Sequence, residues 1–334
     1  MDDLRLTYIV PVYNTEAYVL RCLQSLISQG IPEDDYEIII VDDGSTDGSR
    51  VQVDAFAREY RQVRVFSQDN AGISAARNVA IDNARGRFVQ FVDSDDYLEH
   101  NVMEPLLRRA LDLNVDALVF NYIPVDTDGK YCPYSREDYA QSCDVSSGVG
   151  YLDGHVMTPY IWRFLLRRDF LEQESLRFNP SLLVCEDGAL IAQILLHASR
   201  VAHDEAAPYR YTRRNDSAMH NQDVHHLRKR LFSQVDAAAS INESIRLYEA
   251  QSGKKSPTSV IGLRNVYLYF AMTKALTAGL VDDVLQHIRQ VGLYPFPCVG
   301  PESNYYGKKW KFIHAMMMRP ALWKLMGKTY SLIK

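Results

Sequence analysis

The sequence predicts an α/β fold: a doubly wound, mostly parallel sheet followed by a helical C-terminal region. Three observations predict it. Short β-branched runs alternate with amphipathic stretches through the first hundred residues, the strand–helix–strand rhythm of a parallel sheet. Ile38-Ile39-Ile40-Val41 is apolar without interruption, as expected of a strand covered on both faces. Beyond residue 220, long helical patterns replace the alternation.

Leu6 to Val10 forms the first strand, expected to stop at Pro11 because proline donates nothing to a ladder. Thr15 is placed to cap a helix running to Gly30, with Val19, Leu20, Leu23, Leu26 and Ile27 on one face. Residues 37–41 give the second strand. Asp42-Asp43-Gly44-Ser45 turns the chain, and Ser45 or Thr46 opens a helix ending near Tyr60. Residues 63–66 form a third strand, 71–84 a third helix, and Arg87 to Val92 a fourth strand after Gly86. Residues 126–150 are polar and rich in turn formers. Helical patterns return over 226–250 and 259–291, and the chain breaks at the Pro- and Gly-rich stretch 294–301.

Composition narrows the class. The chain of 334 residues is 47% apolar and 24% charged, which suits one large α/β unit with additions or two domains. A net charge of −5 argues against a nucleic-acid partner. The five cysteines are scattered without a CxxC pair, unlike a disulfide framework or a zinc site, and suit a reducing cytoplasm. No run approaches the ~20 apolar residues of a membrane span, and no signal peptide is expected.

Chemistry concentrates where strands end. Asp93-Ser94-Asp95-Asp96 follows Phe88 to Val92 and releases three carboxylates within four residues. Their repulsion calls for a cation, and Mg²⁺ or Mn²⁺ takes carboxylate oxygens together with substrate phosphates. A solvated turn or helix cap is the competing reading. Asp42 closes the second strand, where a carboxylate can accept hydrogen bonds from a base or a ribose. Asn70-Ala71-Gly72 opens the third helix with small residues that let backbone N–H groups approach a phosphate, and Arg77 offers a fork donor. In an open sheet, ligands bind beyond the carboxyl ends of the strands, so these positions converge.

Ile9-Val10-Pro11-Val12-Tyr13-Asn14, then Val41-Asp42-Asp43-Gly44-Ser45-Thr46-Asp47, then Asn70-Ala71-Gly72 with Ala76-Arg77-Asn78, then Asp93-Ser94-Asp95-Asp96, resemble glycosyltransferase family 2 in order and spacing. The resemblance covers about residues 5–110. It implies the GT-A fold over 1–220, with a nucleotide-sugar half to about 110 and an acceptor half over 111–220, and a helical region over 221–334. It implies inverting transfer from a nucleotide-sugar donor to a glycan or lipid-linked oligosaccharide. Pro11, Val12, Tyr13 and Asn14 would line the nucleotide site with Asp42 on the base, while Gly72, Arg77 and Ser94 would complete it. Asp93 would meet the ribose or the metal, Asp95 would hold the Mn²⁺ or Mg²⁺, and Asp43 would be structural. Glu186-Asp187 opens a helical stretch; family members place the base there, which gives Asp187 that role and Glu186 the orienting one. A helix N-terminus stabilised by acids is the alternative. Trp162 is an acceptor platform or a buried aromatic. In the segment that resembles the family's closing stretch, Arg213 or Arg214 would offset phosphate charge and His220 would add a metal ligand.

Residues 308–334 carry seven Lys or Arg, no acid, and interleaved Trp, Met and Leu. An interfacial helix on anionic lipid requires that combination, as would contact with the inner face of the cytoplasmic membrane; a packed terminal helix is the alternative. A nucleotidyltransferase would need a Gly-rich, Arg-containing loop where Pro11 to Asn14 stand. A non-catalytic nucleotide- or lipid-surface binding module would be expected to lack one of Asp42, Asp93, Asp95 or Asp187, and all are present.

Overall fold

A computed structural model describes residues 4–133, 140–155, 157–214, 224–296 and 319. The chain divides into two compact units. The first contains Met1–Val156, Tyr160–Pro180 and His197–Ser217; the second contains Met157–Pro159, Ser181–Leu196 and Ala218–Lys334.

In the first unit, β1 (Leu6–Val12), α1 (Val19–Ile27), β2 (Tyr36–Asp42), α2 (Ser49–Glu59), β3 (Val63–Ser67), α3 (Ile73–Asn83) and β4 (Phe88–Phe91) follow one another. Then come β5 (Tyr97–Leu98), α4 (Met103–Leu113), β6 (Ala117–Val125), β7 (Cys143–Ser146), α5 (Gly148–Gly154), β8 (Phe164–Arg167), α6 (Arg168–Gln173) and β9 (Val201–Thr212). One sheet runs β3-β2-β1-β4-β8-β6-β9-β5, with β7 also on β9. β3, β2, β1 and β4 are parallel throughout, β6 and β9 pair parallel, and β8 lies antiparallel between β4 and β6. Every residue of β1, β2 and β4 is buried, as strands covered on both faces require, the polar Thr7, Glu37 and Gln90 included.

β1 continues through Pro11, two residues beyond the expected stop. Its register explains why. Ile9 accepts from Val92 on the β4 side, whereas Val12 accepts from Asp43 on the β2 side. Pro11 shares the orientation of Ile9, and the β4 pairing ends at Ile9↔Phe91, so the missing N–H faces no ladder partner. α1 begins at Val19. The Thr15 carbonyl accepts the Tyr18 and Val19 amides, while its side chain turns to Ser94. Leu20 is exposed, and Cys22 takes its place on the buried face. Asp47 accepts the Ser49 amide at 2.9 Å, so α2 opens after the expected Ser45 or Thr46. At Gly86 a methyl would lie 2.4 Å from the Leu6 carbonyl carbon and the Thr7 nitrogen; only glycine lets the chain cross β1 so closely.

The second unit contains α7 (Glu186–His197, to Leu196), α8 (Val224–Ser252), α9 (Thr258–Ala278) and α10 (Val281–Gln290). Leu231, Val235, Ala238, Ile241, Leu268 and Met272 are among its buried apolar residues. Among the described residues, no helix is long and apolar enough to cross a membrane.

Candidate active site

β1 fixes the site. β2 lies on one side of it and β4 on the other, and the chain passes β1–β2–β3 before crossing back to β4. The crevice opens where strand order reverses, the place where open α/β sheets bind ligands. Asp42 ends β2 opposite Val12, and Asp93 follows the β4 segment paired to Ile9. The two acidic positions therefore flank the end of β1, two strand spacings or about 10 Å apart.

The three carboxylates after β4 differ in their surroundings. Asp96 is 1% exposed; it accepts the Tyr209 hydroxyl at 2.8 Å and the Thr212 amide at 2.6 Å. The Tyr209 hydroxyl also accepts the Asp93 amide at 3.1 Å. Asp93 and Asp95 keep about a quarter of their side chains exposed, at 25% and 23%, and meet Arg77 at 2.8 Å and Arg214 at 2.9 Å. Burial raises the Asp95 carboxyl above the usual carboxylate range; Arg214 opposes the shift and Asp93 reinforces it. Burial raises Asp96 further, helped by Asp95 and Asp93. The crowded negative charge and the accessible oxygens of Asp93 and Asp95 suit a hard divalent ion, which needs only one or two carboxylates beside substrate phosphates. Among the described residues, no group of three His, Cys, Asp or Glu is arranged so that it could hold a metal ion by itself.

Residues 7–174 match the family model of glycosyl transferase family 2. The chain belongs to that family. It is 34% identical to glycosyltransferase GlyA of Streptococcus pneumoniae over 225 residues, covering 65% of this chain and 32% of GlyA. It is 30% identical to the uncharacterized glycosyltransferase EpsJ of Bacillus subtilis over 206 residues, covering 61% of this chain and 59% of EpsJ. The chain thus spans between about a third and three fifths of these relatives. The crystal structure of Staphylococcus aureus TarS 1–349 in complex with UDP-GlcNAc superimposes with a TM-score of 0.68 at 20% identity, covering 99% of this chain and 92% of that one. The fold is GT-A.

The other family motifs meet at the same edge, several of them in different contacts from those expected. Val12 is 1% exposed, and Tyr13, at 48%, presents its ring. Asn14 adopts φ 50° and accepts the Thr46 amide at 2.8 Å, which ties the β2 turn to the end of β1. Asp43 takes up the backbone donors expected to approach a phosphate: Ala71 at 2.8 Å and Gly72 at 2.9 Å, with Gln68 at 2.7 Å. Those N–H groups are thereby satisfied within the chain. Arg77 is 1% exposed and lies over the Phe178 ring at 5.0 Å; its guanidinium faces Asp93 rather than open solvent. Ser94 is buried and accepts from Thr15 at 3.0 Å. Arg214 is the arginine that reaches the carboxylates, whereas Arg213 donates toward Cys132 and Pro133. Of the two readings of Trp162 the buried one holds: it is 3% exposed and stacks on Tyr209 at 4.2 Å and 10°. His220 and, apart from Arg319, the tail 308–334 lie outside the described residues.

Several contacts of the site are not given by the motifs themselves. Tyr209 braces the aspartate turn, and Arg21 reaches the Asp95 carbonyl at 3.4 Å and the Thr212 hydroxyl at 3.1 Å. Arg50 approaches Asp42 at 3.8 Å. Their partners lie up to 191 positions away, and only the fold reveals them. Glu186 and Asp187 occupy the first turn of α7 in the second unit.

Proposed function

We propose that this family 2 chain is an inverting glycosyltransferase. It moves a sugar from a UDP-sugar donor to a hydroxyl of a glycan or lipid-linked acceptor in bacterial cell-surface polysaccharide synthesis. The observation that carries this reading is the placement of Asp42 and the Asp93–Asp95 pair on either side of the end of β1. One carboxylate would serve a base and ribose, the pair a diphosphate-bound cation. The UDP-GlcNAc complex of TarS on the same fold supports a uridine donor. The similarity to the poly(ribitol-phosphate) beta-glucosyltransferase of Bacillus spizizenii, 25% identical over 282 residues, supports a polymeric acceptor.

The acceptor oxygen attacks the anomeric carbon as the bond to the β-phosphate oxygen breaks. The bonding pair leaves with the nucleoside diphosphate, and the hydroxyl proton passes to a carboxylate base. Asp187 is that base by the family resemblance, with Glu186 beside it. A divalent ion held by Asp93 and Asp95 would stabilise negative charge on the departing diphosphate. Arg214 lies at Asp95, where its charge can move from carboxylate to phosphate when the donor arrives. Arg77 orients Asp93.

Incubation with UDP-glucose, UDP-galactose, UDP-GlcNAc and UDP-GalNAc in Mn²⁺, followed by quantitation of released UDP, tests the reading. One donor should turn over, and Asp187→Asn should lower its rate by about 10²–10⁴-fold. A non-catalytic binder would release no UDP from any of them.

A further inference from the structure

We propose that Ser233 and Tyr267 are positioning residues for the Glu186–Asp187 pair, so that the helices after residue 224 form part of the catalytic apparatus. The proposal rests on the base role given to Asp187. The family match ends at residue 174, and both residues lie well beyond it.

The chain enters α7 through Leu183, Val184 and Cys185. Leu183 is exposed, yet its amide is anchored. Leu183 and Val184 both donate to the Ser233 hydroxyl, at 2.8 and 3.0 Å, and that hydroxyl donates to the Val184 carbonyl at 3.2 Å. One hydroxyl thereby uses its full capacity of one donor and two acceptor sites. A serine inside a helix ordinarily bonds back to its own turn. Ser244 and Ser252 do so in the same α8, donating to the carbonyls of Ser240 and Tyr248. Ser233 is 4% exposed and serves the loop instead.

Cys185 then adopts φ 66°, a left-handed conformation that a side chain holds only where its surroundings impose it. That turn delivers Glu186 and Asp187 to the first turn of α7. Tyr267, from α9, imposes it from the other side. Its hydroxyl lies beside the Cys185 thiol and within the field of Asp187 and Glu186. It fits against Gly188 so closely that a methyl there would lie 2.0 Å from the phenol oxygen. Burial pushes the phenol well above its ordinary pKa, so the group remains a hydrogen-bond donor. Two helices thus grip a strained three-residue entry from opposite ends, and the paired carboxylates follow immediately.

The full chain carrying Ser233→Ala, Tyr267→Phe, Gly188→Ala or Asp187→Asn tests this, using the UDP-sugar of the four that turns over fastest with Mn²⁺. Asp187→Asn should lower turnover by about 10²–10⁴-fold. Each of the other variants should lose about 10- to 100-fold in kcat, with the KM for donor and the affinity for UDP unchanged. Deuterium exchange across 183–187 should quicken in Ser233→Ala, and Ser233→Thr should restore both protection and rate. Full kcat in Ser233→Ala and Tyr267→Phe beside a slowed Asp187→Asn overturns the positioning role alone. Normal turnover in Asp187→Asn overturns the base assignment and the positioning role with it. Parallel loss of kcat and UDP affinity would mark a general folding defect and would equally overturn it.

Discussion

Tyr209→Phe isolates one oxygen atom at the centre of the aspartate turn. The hydroxyl donates to Asp96 at 2.8 Å and accepts the Asp93 amide at 3.1 Å. The ring keeps its stack on Trp162 at 4.2 Å, so no large cavity opens. Losing the hydrogen bond to the Asp96 carboxyl costs about 1–2 kcal/mol, and leaving the part-buried Asp93 amide without its partner costs about 1–3 kcal/mol. Neighbouring terms do not simply add, so the expected loss is about 3 kcal/mol. Urea unfolding followed by tryptophan fluorescence should show the midpoint falling by about 1 M for a slope near 3 kcal/mol/M. UDP binding with Mn²⁺ should weaken as well, because the same oxygen holds Asp93 in place. A midpoint within about 0.2 M of wild type would refute the claim that Tyr209 braces this turn.

Two further outcomes follow from the first unit. Gly86→Ala places a methyl 2.4 Å from the β1 backbone, where no flexible side chain can yield; a loss of about 2–3 kcal/mol in the same urea assay is expected. His203 is fully buried, bonded to Tyr151 at 3.0 Å and to Asn121 at 3.2 Å. Burial, reinforced by Arg163, His155 and Arg109, depresses its pKa to about 3. The unfolded histidine titrates near ~6.5, so the folded state forgoes a proton that the unfolded state takes. The stability is complete above pH ~6.5 and is lost as pH falls toward 3, up to on the order of 4 kcal/mol. His203→Asn should flatten that part of the stability–pH curve, measured by urea midpoints from pH 7 to 4.

The parallel core of the fold was legible because its strands are largely apolar runs closed by polar ends. Ile38 to Val41 and Phe88 to Val92 admit no other reading once helices fall between them. Short elements escaped: β5 has two residues and β7 four, too few for a period to register. Pro11 misled because the rule against proline concerns an N–H, and here that position faces the open side of β1. The acidic positions were visible because a strand end concentrates charge in sequence as well as in space. Their partners were not. Arg77 pairs with Asp93, Thr15 with Ser94, and Asp43 with Gly72; these pairings depend on which strand lies beside β1. Ser233 had no signal at all, and Tyr209, although it begins the segment that resembles the family's closing stretch, gave no sign of its contacts, since a lone hydroxyl acquires a role only from what the fold brings to it.

Titration calorimetry of UDP into the protein with and without Mn²⁺, repeated with Asp95→Asn, tests the central claim most directly. The account predicts that Mn²⁺ tightens UDP binding to the wild type by about tenfold or more, equivalent to about 1.4 kcal/mol, and that the variant loses this gain while retaining its metal-free affinity. Equal affinity for UDP with and without metal in the wild type, or an undiminished gain in Asp95→Asn, would contradict it.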